Sequence, residues 1–418
     1  MDDRLDLELL DPSHLRAARE VAERLAAAGH RGWIVGGAVR DLALGRRPKD
    51  VDMVSGALPD QVERLFERTL GVGKAFGIIL VQLSELEVEL ATFREDGSYA
   101  DGRRPDQVVY GDSLELDAQR RDFTCNALYL DPRTGEVNDP TGGLADLRAR
   151  QLRTVGEPAR RFAEDGLRLL RMLRFQASHD LEPAPGLHEA ARRCASNLKG
   201  TSVERVLEEL RRTLAWPKPA RAYRTLEGCG LLAQVAPWAT DDVDLRTATL
   251  EHLPEELNDP VDPAAAALLV ILESSEASQL ELHLRSLKPS KALLLHWQRI
   301  VSLRGICRSL VGEDPDPALR ARTLREPAAP IALALALAGA KAAGDADLAA
   351  GLQSLQAWLS EHGSELRPAP LLSAKDLIAA GTAPGPAIGR LLRALEDAQL
   401  RGEVIDEAGA RVWLEREA

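Results

Sequence analysis

The β-branched runs of this chain stop near residue 155. Up to there, strand-like segments (GWIV, VDMV, GIILVQL, LEVELATF, QVVY) alternate with short helical ones; beyond it Leu, Ala, Arg and Glu dominate, and Pro and Gly punctuate stretches of helical length. The switch predicts an α+β protein: a small head with a mixed sheet and helices, followed by an elongated all-helical arm. In the head, SHLRAAREVAERLAAA (13–28) has helical spacing behind Ser13 as N-cap, and LPDQVERLFER reads as a second helix. Ser84-Glu85 between two β-rich runs signals a hairpin. In the arm, ALALALAGAKAAG (332–344) alternates like a strand, but Leu and Ala are good helix formers and a buried helix is expected.

Composition removes several function classes. No basic-plus-apolar leader and no apolar run long enough for a bilayer is visible, which points to the cytosol and away from a membrane. A net charge of −12 disfavours a general nucleic-acid coat, since phosphate neutralisation needs Lys and Arg. The charge is uneven, however: 144–224 is arginine-rich and 240–282 acidic, compatible with one specific RNA partner or with solvated helix faces. Cys125, Cys194, Cys229 and Cys307 are far apart with no CxxC, so buried free thiols are expected rather than a zinc knuckle or disulfide framework. No HExxH occurs, and His179-Asp180 lacks a second histidine cluster for a two-metal phosphohydrolase site.

The stretch GWIVGGAVRDLALGRRPKDVDMV (32–54) carries the chemistry. Asp50 and Asp52 lie two apart on a reading as strand, so both carboxylates face one way with Cα atoms about 6.5 Å apart. Two such carboxylates can share divalent cations for in-line phosphoryl transfer, and all-oxygen ligation with phosphate and water suits Mg²⁺. Gly36-Gly37 ahead of the helix starting Ala38-Val39-Arg40 lets backbone approach a phosphate closely. An isolated DxD is more often a pair of solvated aspartates, and an isolated GG an ordinary turn; it is their order that matters.

With Val88-Glu89-Leu90 downstream, GG and DxD resemble the signature of the DNA polymerase beta nucleotidyltransferase superfamily. That resemblance implies a polymerase-beta-like head, Asp50 and Asp52 as catalytic metal ligands, and Glu89 as a candidate third carboxylate. GGAVRDLALGRRPKDVDMV further resembles the first motif of class II tRNA nucleotidyltransferases, the CCA-adding enzymes and bacterial poly(A) polymerases. Gly36, Gly37 and Arg40 would then bind the triphosphate. Arg120-Arg121-Asp122-Phe123-Thr124-Cys125-Asn126 is similar to the family's RRDFTxNA motif, which implies that Arg121, Asp122 and Asn126 hold the ribose. Glu164-Asp165-Gly166-Leu167-Arg168 through Phe175 resembles EDxLRxLRxxRF, in which Asp165 and Arg168, three apart on a helix face, would read the incoming base. Both cytosine and adenine offer an exocyclic amine to Asp165 and a ring nitrogen to Arg168; uracil and guanine offer the opposite polarity. Gly166 departs from the bulkier residue or proline often found there, and as a mid-helix glycine it would loosen that turn. Arg171 and Arg174 continue the basic side toward phosphate or the RNA end. SVERVLEELRRTL resembles the helix in which Glu204 and Arg205 would brace the base reader, and 376–404 resembles the C-terminal segment of bacterial members.

The resemblance implies a catalytic head at 1–155, a base-reading neck at 156–215, a helical body at 216–320 and a tRNA-binding tail at 321–418. It implies a template-independent enzyme that adds CMP and AMP to a tRNA 3′ end from CTP and ATP with two Mg²⁺ ions, completing CCA or only its terminal A. The loop REDGSYADGRRP (94–105) has the length that disfavours a CC-only enzyme. Other readings are a poly(A) polymerase, an inactive tRNA-binding protein on the same scaffold, or nucleotide transfer to a small-molecule or protein hydroxyl.

Overall fold

The computed structural model describes residues 4–84, 86–95, 109–111, 113–240, 242–257, 259–273, 277–312, 315–363 and 366–417. Glu85 of the expected hairpin turn and most of the 94–105 loop lie outside them. The chain forms two compact units, Met1–Thr213 with Arg224–Pro237, and Leu214–Tyr223 with Trp238–Ala418.

The first unit is built on a mixed sheet of β1 (Gly32–Val35), β2 (Asp52–Ser55), β3 (Thr69–Gly73), β4 (Ile78–Gln82), β5 (Glu87–Thr92), β8 (Tyr129–Leu130) and β9 (Val137–Asn138), in the order β3-β4-β5-β2-β1-β8-β9. β6 (Arg94–Glu95) and β7 (Val109–Tyr110) form a separate two-stranded ribbon. β1 lies antiparallel to both β2 and β8, whereas β2 runs parallel to β5. Central β1 is buried along its length, as its unbroken Trp-Ile-Val run requires. β5 alternates instead, with Val88 and Leu90 inward and Glu87 and Glu89 outward. Trp33, Val35, Val54, Phe93, Ala127 and Tyr129 make one face of the core.

Helix α1 (Pro12–Ala27) covers the sheet with Ala17, Ala18, Val21, Ala22 and Leu25. Its cap is Asp11 rather than Ser13: the Asp11 carboxylate accepts from Ser13 N at 2.9 Å, and Pro12, with no N–H to satisfy, takes the first helical position. A side chain at Gly32 would meet Leu25 Cδ1 at 2.8 Å, so glycine permits α1 to lie this close to β1. Helices α2 (Gly37–Ala43), α3 (Pro59–Leu65), α4 (Leu114–Gln119) and α5 (Gly143–Arg148) complete the head. Then follow α6 (Pro158–Glu164), α7 (Leu167–His179), α8 (Leu187–Cys194) and α9 (Val203–Leu214). One short strand, Glu182–Pro183, interrupts this helical run by pairing with Gln151–Leu152.

The second unit is helical. Helix Ala329–Ala342 spans the Leu/Ala alternation, and ten of its residues are buried, so every face meets protein and the strand-like pattern carries no strand. Leu333, Leu337, Leu352 and Leu355 share a core with Cys307 and Leu324, while Leu377, Leu395, Ala410 and Leu414 form a second one. All four cysteines are free, three of them buried. Among the described residues no helix is long and apolar enough to cross a membrane.

Candidate active site

A cleft of about 580 Å³ in the first unit gathers Gly36, Gly37, Arg40, Asp50, Asp52, Arg121, Asp122, Asn126, Asp165, Arg168, Arg171, Arg174 and Arg205. Glu89 and Glu204 do not line it. Leu167 and Phe175, which stand in the EDxLRxLRxxRF motif without an assigned role, and Arg212 also line it. Seven arginines against four aspartates make the cleft cationic, suited to a polyanion.

The glycine turn is built for close approach. Gly36 has φ +68°, in the left-handed region that favours glycine, and sends the chain from β1 into α2. Asp52 begins β2 opposite Val35, at the same end of the sheet. Asp50 precedes that strand rather than sharing it, so the two carboxylates are not strand neighbours on one face as expected; the strand is shorter at its start. Pairing of Met53 with Leu90 sets Glu89 one row along beside Asp52. Although Asp52 reaches solvent, burial by the surrounding head, then the charges of Glu89 and Asp50, push its pKa up to about 6. That accumulation of unneutralised carboxylate fits a divalent cation held by one or two carboxylates plus water and phosphate. No cluster of three or more His, Cys, Asp or Glu at ligating geometry occurs among the described residues.

The RRDFTCN segment forms a network. Asp122 accepts from Phe123 N at 2.8 Å, Asn126 Nδ2 at 3.0 Å and Arg171 Nε at 2.6 Å. Burial alone would raise its pKa, but the Arg171 charge and these hydrogen bonds hold it at about 2. The Asn126 Oδ1 accepts in turn from Arg40 at 2.8 Å. Beneath this segment the sequence DPTGGLADL (139–147), unremarked in the motif reading, acts as a support. Asp139 accepts from the first N–H groups of α5, and Asp146 takes Thr124 Oγ1 at 2.6 Å. A side chain at Gly143 would lie 2.2 Å from the Thr124 carbonyl oxygen.

At the EDGLR segment the structure corrects the expected geometry. Asp165 and Arg168 do not share a helix face: Asp165 ends α6, Gly166 caps α7, and α7 starts at Leu167. Nor do they pair with each other. Asp165 accepts from Leu167 N at 3.0 Å and Arg205 at 2.9 Å. Arg168 donates to Glu164 at 2.6 Å and to the carbonyls of Arg161 and Arg120. Gly166 is therefore not a mid-helix glycine but a contact point, since a Cβ there would lie 2.4 Å from the Asn197 carbonyl oxygen. Gly166→Ala should force this junction apart, lowering stability by about 1–3 kcal/mol in a denaturant titration and misaiming Asp165.

Phe175 organises the arginines. The guanidiniums of Arg174, Arg171 and Arg40 lie 4.4, 5.2 and 5.3 Å from its ring centroid. Arg171 and Arg174 are both tied within the protein, to Asp122 and to buried Glu209. His179 stacks beneath the ring, and burial, then Arg40 and Arg46, push its pKa down to about 3, so it packs as a neutral ring. The i, i+4 spacing of Arg171 and Phe175 on one helix face was the available signal for this cluster.

A family described as "Poly A polymerase head domain" matches residues 32–153, and one described as "Probable RNA and SrmB-binding site of polymerase A" matches 180–242. A CCA-adding enzyme of Streptococcus gordonii is 34% identical over 410 residues, 96% of each chain. The chain belongs to the CCA-adding enzyme family. A second member, from Geobacillus stearothermophilus, is 40% identical over 234 residues, 56% of this chain and 58% of that one. A crystal structure of the Bacillus stearothermophilus CCA-adding enzyme in complex with CTP superposes with a TM-score of 0.74 at 28% identity, covering 97% of this chain and 98% of that one. The Thermotoga maritima CCA-adding enzyme complexed with tRNA shares the fold, with a TM-score of 0.71 at 19% identity over 98% and 97% of the two chains.

Proposed function

We infer that this protein is a tRNA nucleotidyltransferase that extends the tRNA 3′ end with CMP and AMP from CTP and ATP. The observation that carries the reading is the single cationic cleft in which GG, DxD, RRDFTCN and EDGLR, spread over more than a hundred residues, meet. The names of the full-length relatives favour the complete CCA end as product, over terminal A alone.

In this reading the 3′-hydroxyl oxygen of the RNA bonds to the α-phosphorus as its proton passes to solvent, and the bond from that phosphorus to the α,β-bridging oxygen breaks, so pyrophosphate leaves with the electron pair. The activity uses divalent metal, which we assign as Mg²⁺ at Asp50 and Asp52, with Glu89 a candidate further carboxylate. Bound there, the ions would supply charge neutralisation for the phosphates and acidify the attacking hydroxyl. Arg40 and the Gly36-Gly37 turn take the triphosphate, and Arg121 stands beside them. Asn126 and Asp122 receive the ribose hydroxyls; Asp122 is ionised at neutral pH, and Arg171 yields one of its contacts to the sugar. Asp165 keeps lone pairs for an exocyclic amine while Arg205 braces it, and Glu204 belongs to the same bracing helix. Arg168 keeps Nε–H for a ring nitrogen while Glu164 and two carbonyls hold its other end. Arg174 stands toward the phosphate or the RNA end. We assign residues 1–155 as catalytic head, 156–215 as neck, 216–320 as body and 321–418 as tRNA-binding tail, in a cytoplasmic protein.

Purified protein incubated with tRNAs ending before CCA, after C and after CC should extend all three to the same CCA end. Extension of only the last would make it an A-adding enzyme, and long A tracts a poly(A) polymerase. The carboxylates give a second test. Because Asp52 titrates near pH 6, Mg²⁺ affinity measured calorimetrically should be level above that pH and fall by up to about tenfold per unit below it, as a proton competes.

A further inference from the structure

Asp117 lies on α4, outside the cleft, and its side chain is completely buried. Both arginines of the RRD motif converge on it. Its Oδ1 accepts from Arg120 Nε at 2.8 Å and from Arg120 NH2 at 2.6 Å. Its Oδ2 accepts from Arg121 Nε at 3.1 Å, from Arg121 NH2 at 3.0 Å and from the Tyr129 hydroxyl at 2.7 Å. Arg121 is then fixed on every side. Its NH1 donates to the Asn126 carbonyl at 3.1 Å, and its guanidinium lies 5.2 Å from the Tyr129 ring centroid. The free edge of that NH1 faces the glycine turn: a Cβ at Gly36 would lie 3.8 Å from it. Arg121 is also the cation that acts on Asp52.

We propose that Asp117, assisted by Tyr129, is a positioning residue that fixes the Arg121 guanidinium against the Gly36 turn for the sugar–phosphate part of the incoming nucleotide. The proposal rests on the nucleotidyl-transfer reading above. A buried carboxylate is a poor device for stability alone, since well-packed apolar residues often replace buried ion pairs without loss. Here it does what packing cannot. It cancels the repulsion between two consecutive arginines and locks a long, flexible side chain in one orientation by a two-point contact. Asp117 reaches neither base nor reacting atoms, so its effect travels through Arg121. The contact is common to ATP and CTP, unlike that of Asp165 and Arg168, and the loss should be equal for both nucleotides.

The test compares Tyr129→Phe and Asp117→Asn with wild type. Steady-state kinetics on one tRNA are measured alongside equilibrium titration of ATP and CTP without tRNA. Tyr129→Phe keeps the ring under Arg121 and removes one hydroxyl. It should weaken binding and raise KM for ATP and CTP together by about three- to tenfold, the effect of one hydrogen bond. Asp117→Asn should do so by about 30-fold or more, the effect of a lost charge-assisted pair. For both variants kcat at saturating nucleotide and the choice between ATP and CTP should stay near wild type. A purely structural role would instead lower kcat or the active fraction at unchanged KM, and that result overturns the proposal. If Asp117→Asn does not fold, Tyr129→Phe decides alone: unchanged affinity for both nucleotides overturns it. Wild-type protein that binds ATP but extends no tRNA would overturn the functional reading, and the binding titrations would still judge Asp117.

Discussion

Asp52→Ala should abolish nucleotide addition, by about 10³-fold or more in kcat, the scale of losing a preorganised electrostatic group at a reacting centre. The same site should become no less stable. Asp52 is an acid whose folded-state pKa, about 6, lies above its ordinary 3.8, so its charge works against the folded state. The linkage runs accordingly: the unfavourable contribution is absent below about pH 4, grows as pH rises toward 6, and is constant above. Metal-free Asp52→Asn should therefore melt at or above the wild-type temperature at pH 7.5, with the difference vanishing in acid. An inactive variant that is also clearly less stable would mean Asp52 is a structural carboxylate and the carboxylate crowding has been misread.

Asp165→Ala should leave ATP and CTP usable but remove the penalty against UTP and GTP. Sites that hydrogen-bond a substrate reject analogues of the wrong polarity because buried groups are left unpaired. Losing Asp165 should thus narrow discrimination by about 10²-fold or more in kcat/KM ratios. Asp165 can be removed at less cost to the fold than Arg168. Arg168 is buried and holds Glu164 and two main-chain carbonyls, so its removal leaves an uncompensated carboxylate and endangers the fold. Among the described residues Asp165 has Arg205 and one backbone N–H as partners, and its side chain is 33% exposed. Single-nucleotide incorporation with each of the four triphosphates reads the result. Unchanged discrimination would show that base choice resides elsewhere.

Much of the head was legible because its signals are local. The Trp-Ile-Val run of β1 and the alternation of Glu87 to Thr92 follow from periodicity and burial, and so, in the second unit, does the buried Leu/Ala helix Ala329–Ala342. The gathering of Asp52, Asp122 and Asp165 in one cleft was legible only through the order of motifs, since nothing in spacing brings residues 52 and 165 together. What escaped was set by tertiary contact. The cap of α1 moved to Asp11 because Pro12 suits the first turn. The break at Gly166 turned a presumed helix face into a junction, because the Asn197 carbonyl occupies the space a side chain would need. No motif pointed to Asp117, Asp139 or Asp146, yet Asp139 caps α5, and Asp117 and Asp146 reach Tyr129 and Thr124, 12 and 22 residues away. Long-range hydrogen bonds of this kind leave no periodic trace.

The central claim is that the protein itself, with no template strand, chooses the base. The most direct measurement supplies one triphosphate at a time, with Mg²⁺, to a tRNA ending just before CCA, and follows the first incorporated nucleotide at single-residue resolution. The expected first nucleotide is CMP from CTP, with negligible incorporation from UTP or GTP, and AMP is expected when ATP is supplied afterwards to the product that carries two C residues. Incorporation of all four nucleotides at similar rates, or of none on any tRNA, would contradict it.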